Sequence, residues 1–403
     1  MDESFEVKKN IYQYKLKSTD NLEISDYEIS FNNSITGKEV IERETYLKFI
    51  KTPRKLSLQK KSTDLYIDDL LKKYPLMSIK NKTITFNRGK YFVDEDFEIP
   101  QFYDFEILPG VDLILSNNVS ILIRGNLRIL GLKDDPVIVR SASEDKHFGV
   151  FAAVGNGKTT VDINVLNISG GNEDIMSGIF LSGALSLYNH QQVNLFGSSI
   201  TNNLADDGLN IKNANVNIKE NYFASNYADQ VDLDFVTGIV SNNIFDAKSS
   251  KDTSKSNNQS NNGDGLDLSG SNVIIKNNIS ENFKDKGFSI GEKTDAILLN
   301  NIFNKNRSAI SVKDQSKVYI YKNQYNKNDV DIEMYQKKQI FKEPSVFNLN
   351  NSSFNLNIKK SPKSSFYSNQ NELDTKIIDT IKGSLDFEKM LSLFNELDWI
   401  DGK

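Results

Sequence analysis

Cysteine is absent from this chain of 403 residues, histidine occurs twice, tryptophan once and proline seven times. Without cysteine there are no disulfides and no thiolate metal ligands, and His147 and His190 stand too far apart in sequence to suggest a zinc or copper site. Redox chemistry and zinc catalysis drop out. Lysine and arginine (49) are outnumbered by aspartate and glutamate (54) and are scattered, so there is no basic footprint for nucleic acid or anionic lipid. No run approaches the roughly 18 apolar residues of a membrane-spanning helix. Met1-Asp2-Glu3-Ser4 also lacks the basic start and apolar core of a secretory signal. The stretch that follows, FEVKKNIYQYKLKSTDNLEISDYEISF, reads as strand material without a beginning, as expected of a downstream piece of a secreted protein. What the chain has in excess is asparagine, 48 residues. Disorder, genome bias and a fold that stacks asparagine each account for such an excess.

Residues 1–80 form a region of their own: strand-like pieces, a basic stretch from Lys51 to Lys61, then DLYIDDLLKKYP, which predicts a short helix with Asp64 near its start and Pro75 ending it. From about residue 82 short runs of Ile, Val, Leu and Phe alternate with polar residues and are broken by Asn, Gly and Asp, the pattern of strands and turns.

A repeat governs this second region. Asn221, Asn243, Asn278, Asn301 and Asn323 each precede an apolar or aromatic pair or its equivalent, at intervals of 22, 35, 23 and 22 residues. The long interval becomes 22 once the hydrophilic tract SSKDTSKSNNQSN, residues 249–261, is set aside as an inserted loop. Ser198 continues the register backwards. Each copy holds two short alternating strands and no helix, which predicts one turn of a parallel β-helix. A leucine-rich repeat has a similar length, but its fixed leucine pattern is missing. Equivalent residues of successive turns would lie at strand spacing, about 4.8 Å apart, so the asparagines are expected to stack as an amide ladder with a structural role.

On these residues, together with the opening coils FEIPQFYDFEILPGVDLILSNNVSILIRGNLRILGLKDDPVIVRSA, the segment from about 82 to 338 resembles the right-handed parallel β-helix proteins of the pectin-lyase-like superfamily. SGALSLYN, ADDGLNI, YADQVDLDF, GDGLDLSGS, DKGFSIGE and MYQKK are similar to β-helix segments of bacterial proteins that sometimes carry a CotH-like kinase domain. The resemblance implies an all-β solenoid, an extracellular or cell-surface location and polysaccharide as the partner. It does not supply a catalytic set. GDGLD is similar to part of the polygalacturonase pattern, but there is no Gly-His-Gly and no matching Arg-x-Lys segment, and the Asp-Pro-His-Glu motif of alginate epimerases is absent too.

Side chains alternate along a strand, so Val231, Leu233 and Phe235 inward would place Asp232 and Asp234 outward. In the repeat register Asn210, Asp232, Asp267, Ser289, Ser311 and Asp331 make one outward column, and Asp207, Asp229, Asp264, Lys286, Ser308 and Asn328 a second at the start of the strands. Stacked carboxylates repel, and must be protonated, paired with lysine or neutralised by a cation. Two chemistries fit. A pair of carboxyls, drawn from Asp232, Asp234 and Asp267, could serve glycoside cleavage. Alternatively Asp232, Asp234 and Asp267 could hold Ca²⁺ against a uronate, with Lys286 or Lys313 as base. Asp207, Asp229, Asp264, Glu292 and Lys313 would line the substrate, and Tyr319 and Tyr321, alternating with inward Val318 and Ile320, are expected to be exposed for stacking on sugar rings. The plain alternative is a solvated face with Asp-Gly turns. His147 and His190 read as ordinary surface histidines. GNGKTT at 155–160 lacks the spacing of a phosphate loop.

An open stack needs caps. Asp386 followed by Phe387, Met390, Leu391, Phe394 and Leu397 predicts an amphipathic helix over 386–398, closing the end or docking on the side. Residues 340–375 read as an extended tail, and residues 1–80 as an attachment for an upstream domain or partner. The sequence thus predicts a β-helix of roughly ten coils that binds or processes an extended, acidic polysaccharide on an Asp-rich face. The alternative is a structural or adhesion module.

Overall fold

The computed structural model describes residues 63–247, 263–349, 356–369, 373, 375–383, 386–397 and 399–401. The chain divides into two units, Met1–Arg54 and Lys55–Lys403, and all described residues belong to the second. The basic stretch Lys51–Lys61 and the inserted tract 249–261 lie outside the described residues.

The second unit is a right-handed parallel β-helix. Three long sheets of 14, 11 and 10 strands run along it, and each coil adds one strand to each sheet. Apart from an antiparallel pair at each end of the 14-stranded sheet, hydrogen-bonded neighbours in these sheets are parallel and in register, for example Leu209↔Val231 and Val231↔Leu266 in the 11-stranded sheet. The alternation read from the sequence holds along most of its length. Leu209, Leu233, Leu268, Ile290 and Val312 are fully buried and belong to one continuous core. The aromatic rings Phe223, Phe245, Phe288 and Phe303 succeed one another in it with centroids 5.3, 5.6 and 4.8 Å apart.

The asparagine ladder is present. The Asn243 side-chain oxygen accepts from the Asn221 backbone N–H at 2.9 Å and from its Nδ2 at 3.0 Å, and the pattern repeats through Asn278, Asn301 and Asn323. Each Nδ2 also donates to a strand carbonyl, as Asn243 does to Ile218 O at 3.0 Å. Every amide is thereby satisfied, which is what permits its burial. The left-handed backbone at this corner belongs to the preceding residue, Glu220, Asn242, Asn277, Asn300 or Lys322, rather than to the ladder asparagine. Two further corners carry ladders that the sequence reading missed: Asn203 with Asn226 and Asn306 with Asn328, and Ser271, Thr294 and Ser316.

Helix α1, Thr63–Lys73, packs Ile67 and Leu70 on the first coils, and the Tyr74 ring behind it lies 6.1 Å from both Phe86 and Phe97. Residues beyond 338 do not simply trail along the body. Ser345–Asn348 and Ser365–Asn369 extend the 14-stranded sheet, Ile358–Lys360 extends the 11-stranded one, and Trp399–Asp401 adds an antiparallel edge. Helices α2, Thr375–Gly383, and α3, Phe387–Asn395, lie on the outer face of the 14-stranded sheet, where Ile381, Met390 and Phe394 cover Ile274, Ile297 and Tyr319. Asp386 is the predicted N-cap, accepting from Lys389 N at 3.1 Å. The docking is lateral.

Candidate functional site: an acidic face on the 11-stranded sheet

Five aspartates are brought together on the outer face of three successive strands of the 11-stranded sheet and the turn leading into the last of them. Asp207 pairs in register with Asp229, and Asn210 with Asp232 and then Asp267. The next rungs are Ser289 and Ser311, as predicted, but the sixth is Glu333, because Ile310 pairs with Ile332. The predicted Asp331 and Asn328 are thus out of register by two residues. One oxygen each of Asp229, Asp264 and Asp267 lie within 4.8 Å of one another. Asp264 is buried while Asp229 and Asp267 are half-exposed, so the group opens on one side.

Electrostatics follow from this crowding. Burial pushes the carboxyls of Asp207, Asp229 and Asp232 well above the ordinary carboxylate range. Their neighbours push the same way: Asp229 on Asp207, Asp264 and Asp267 on Asp229, Asp207 and Asp234 on Asp232. Burial raises Asp264 to about 7, with Lys286 pulling against it. Lys286 is itself buried, which favours the neutral amine. Asp264 at 3.2 Å and Asp285 outweigh that and hold its ammonium above the ordinary lysine range. A lysine so held is a poor base, which corrects the base role expected for Lys286. Lys313, also buried, has its Nζ 3.9 Å from Asp267. Asp234 pairs with Lys212 at 2.7 Å, and the three carboxylates whose oxygens converge are Asp229, Asp264 and Asp267 rather than the expected Asp232, Asp234 and Asp267.

Two buried polar atoms on this face, Asn210 Oδ1 and Ser289 Oγ, have no hydrogen-bond partner among the described residues. Asn210 already gives its Nδ2 to Asp232 at 2.8 Å, and Ser289 stands beside Asp267 in register. Unpaired buried polar atoms are costly, and a water or a ligand oxygen can satisfy them. All of these donors are hard oxygens, the ligand type that suits Ca²⁺ or Mg²⁺ rather than zinc or copper. Asp229, Asp264 and Asp267 are the residues that could hold such a cation.

Other predicted residues lie elsewhere. Tyr319 and Tyr321 are on the 14-stranded sheet, and only 3% and 9% exposed. They do point outward, but α2 and α3 cover them. Tyr319 stacks on Phe347 at 4.7 Å and faces Phe394 at 5.5 Å, so neither ring is available to a sugar. Glu292 sits on a corner and is held by Lys338. His190 is not a surface residue: it is 2% exposed, its ring meets Thr159 Oγ1 at 2.8 Å and Ala153 O at 3.1 Å, and burial lowers it to about 4. Phe235, predicted inward, is 51% exposed because the strand ends at Asp234 and the corner begins.

Sequence reasoning missed Ser182, whose Oγ donates to Asp207 at 2.8 Å. Just before it the hairpin Asp174–Met176/Ile179–Leu181 lies on the same sheet, burying Met176 and Leu181 against Leu122, Val154 and Tyr188 and exposing Ile175 and Phe180. A surface depression of about 330 Å³ is lined by Lys284, Lys305, Arg307, Lys327 and Asp329 among others, and its Arg307 pairs with Asp285 at 2.8 Å, the same carboxylate that holds Lys286.

No protein-family model matches the chain, and no curated protein matches it. Among solved structures it is similar to a double mutant of the periplasmic alginate epimerase AlgG, at 14% identity over 74% of this chain and 82% of that one, with a TM-score of 0.40. It is also similar to the Dettilon tailspike protein, at 12% identity over 69% and 63%, TM-score 0.34. A third likeness is to PfbA, a surface adhesin of Streptococcus pneumoniae, at 11% identity over 75% and 94%, TM-score 0.32. Likenesses this distant leave the functional reading to the site itself. Among the described residues no helix is long and apolar enough to cross a membrane.

Proposed function

We propose that the acidic face binds an extended polysaccharide through a divalent cation, Ca²⁺ by its ligand chemistry, held by Asp229, Asp264 and Asp267. The observation that carries this reading is the approach of three carboxylate oxygens to within 4.8 Å of one another. Like charges at that distance need a proton or a cation between them; Lys286 on Asp264 and Lys313 near Asp267 supply part of that charge and leave Asp229 without a lysine partner among the described residues. A bound cation would neutralise the face and leave coordination positions for hydroxyl or carboxylate oxygens of a sugar. An acidic polysaccharide is favoured because a cation is what reconciles a uronate with an aspartate-lined surface.

The chain's own groups support binding more than bond cleavage. Lys286 is locked as an ammonium between Asp264 and Asp285, and Asp234 is occupied by Lys212. Raised carboxyls remain available as proton donors, which keeps lyase, hydrolase or epimerase chemistry as an outcome of the test rather than its premise. An extracellular or cell-surface setting, where Ca²⁺ and polysaccharides meet, goes with this function.

The experiment is incubation with polygalacturonate, alginate and neutral glucans, with Ca²⁺ or with chelator, following retention on glycan gels, reducing ends and unsaturated products. Ca²⁺-dependent retention on the uronate polymers, reduced at least ten-fold in Asp267→Asn, is expected. Equal behaviour of wild type, Asp229→Asn and Asp267→Asn on every polymer contradicts the reading.

A further inference from the structure

The corner that follows the acidic strands demands a left-handed backbone in successive coils. Tyr188, Lys212, Asp234 and Ser269 end paired strands, and the residues after them, Asn189, Asn213, Phe235 and Gly270, have φ of 60, 54, 55 and 60°. Asparagine and glycine suit that conformation. A bulky aromatic does not, and is an outlier there. Strain of this kind persists where something else is gained.

Burial is not what is gained, since Phe235 is 51% exposed. Its ring instead leans across the next coil. A Cβ added to Gly270 would lie 2.8 and 2.9 Å from two atoms of the Phe235 ring, so only glycine at 270 leaves the ring its place. Phe235 directly follows Asp234 and ends the segment that carries Asp229 and Asp232. An apolar ring is thus fixed at the margin of a charged face, the combination that recognises a sugar ring by stacking on its C–H face while its oxygens meet polar groups.

We propose that Phe235 is a stacking platform for one pyranose ring of the polysaccharide bound on the acidic face, and that Gly270 exists to seat it. This rests on the glycan-binding reading above and adds to it a place where the chain lies.

Val165 supplies the control. It also has a left-handed backbone, φ 47°, but at a corner between the other two sheets, away from the aspartates. Phe235→Asn puts into the corner the residue found at 189 and 213. Its thermal midpoint is expected to rise by roughly 1–3 °C, as strain is relieved, while its affinity for the uronate oligosaccharide bound by wild type falls about ten-fold. Phe235→Tyr is expected to keep that affinity, Gly270→Asn to lose it, and Val165→Asn to raise the midpoint with affinity unchanged. Binding by Phe235→Asn as tight as wild type overturns the platform alone. So does a fall in its midpoint with binding intact, which makes the ring mere packing. Absence of binding by wild type as well overturns both the platform and the function it rests on.

Discussion

The asparagine ladder and the acidic face are built by one device and end in opposite electrostatic states. In both, a repeat near 22 residues stacks like on like at strand spacing. An amide carries a donor and an acceptor, so the column from Asn221 to Asn323 satisfies itself. A carboxylate carries acceptors only, so burial and the neighbouring carboxylates push Asp207, Asp229, Asp232 and Asp264 toward protonation. Stacking stabilises the first column for its own sake. The second relies on protons and on the ammonium groups of Lys286 and Lys313 for its compensation.

Breaking the ladder should have the largest effect. Asn278→Ala removes the acceptor of the Asn243 N–H and Nδ2 and the donor to Val240 O. Unpaired buried polar groups cost about 1–3 kcal/mol each, so a loss on the order of 3 kcal/mol is expected in urea unfolding. A loss below about 1 kcal/mol would show that water replaces the amide.

Converting the second column into the first should act the other way. Asp229→Asn keeps the acceptor for Asp264 N and removes a charge. In chelator at pH 8 it is expected to stabilise the protein by about 1 kcal/mol, and to lose that advantage at saturating Ca²⁺. Destabilisation in chelator would mean that the carboxylate is already compensated.

Acidity sharpens the same contrast. Asp207, Asp229, Asp232 and Asp264 have folded-state pKa values raised above those of the unfolded chain, Asp264 to about 7. Their stabilising share is therefore complete below about pH 4 and lost as pH rises through the raised values. The thermal midpoint in chelator should climb on acidification from pH 8 to 6.5, and Ca²⁺ should flatten that slope. A flat profile in chelator contradicts the cluster's coupling.

His190 gives the smallest effect and the opposite sign. Its folded pKa, about 4, lies below the ordinary value, so its share is present above about 6.5 and lost as pH falls toward 4. His190→Gln should flatten the acid limb slightly without touching the slope above pH 6.5. A change in that upper slope would show that His190 is coupled to the aspartates.

The fold was legible because the ladder residues are identical in type and evenly spaced, so one column fixed the period for the others. The acidic face was legible from alternation within that period, and its register held for Asn210, Asp232, Asp267, Ser289 and Ser311. It slipped at Glu333 because Val330-Ile332 and Ile332-Met334 alternate equally well. Alternation says which way a side chain points and nothing about what lies over it. Tyr319 and Tyr321 were therefore misplaced under helices from the end of the chain, and His190 under a packed corner. Phe235 was read as the last inward residue of a strand, when the neighbouring coils, with Asn213 and Gly270 in its place, already marked a turn.

Completion of the acidic face by a divalent cation is put to the proof by calorimetric titration of the protein with Ca²⁺ at pH 7.5. The account predicts saturable binding whose heat varies with the ionisation enthalpy of the buffer, since Ca²⁺ displaces protons from Asp229 and Asp264, and its loss in Asp267→Asn. Wild-type protein that takes up no Ca²⁺, or takes it up equally well with Asp267→Asn, would contradict it.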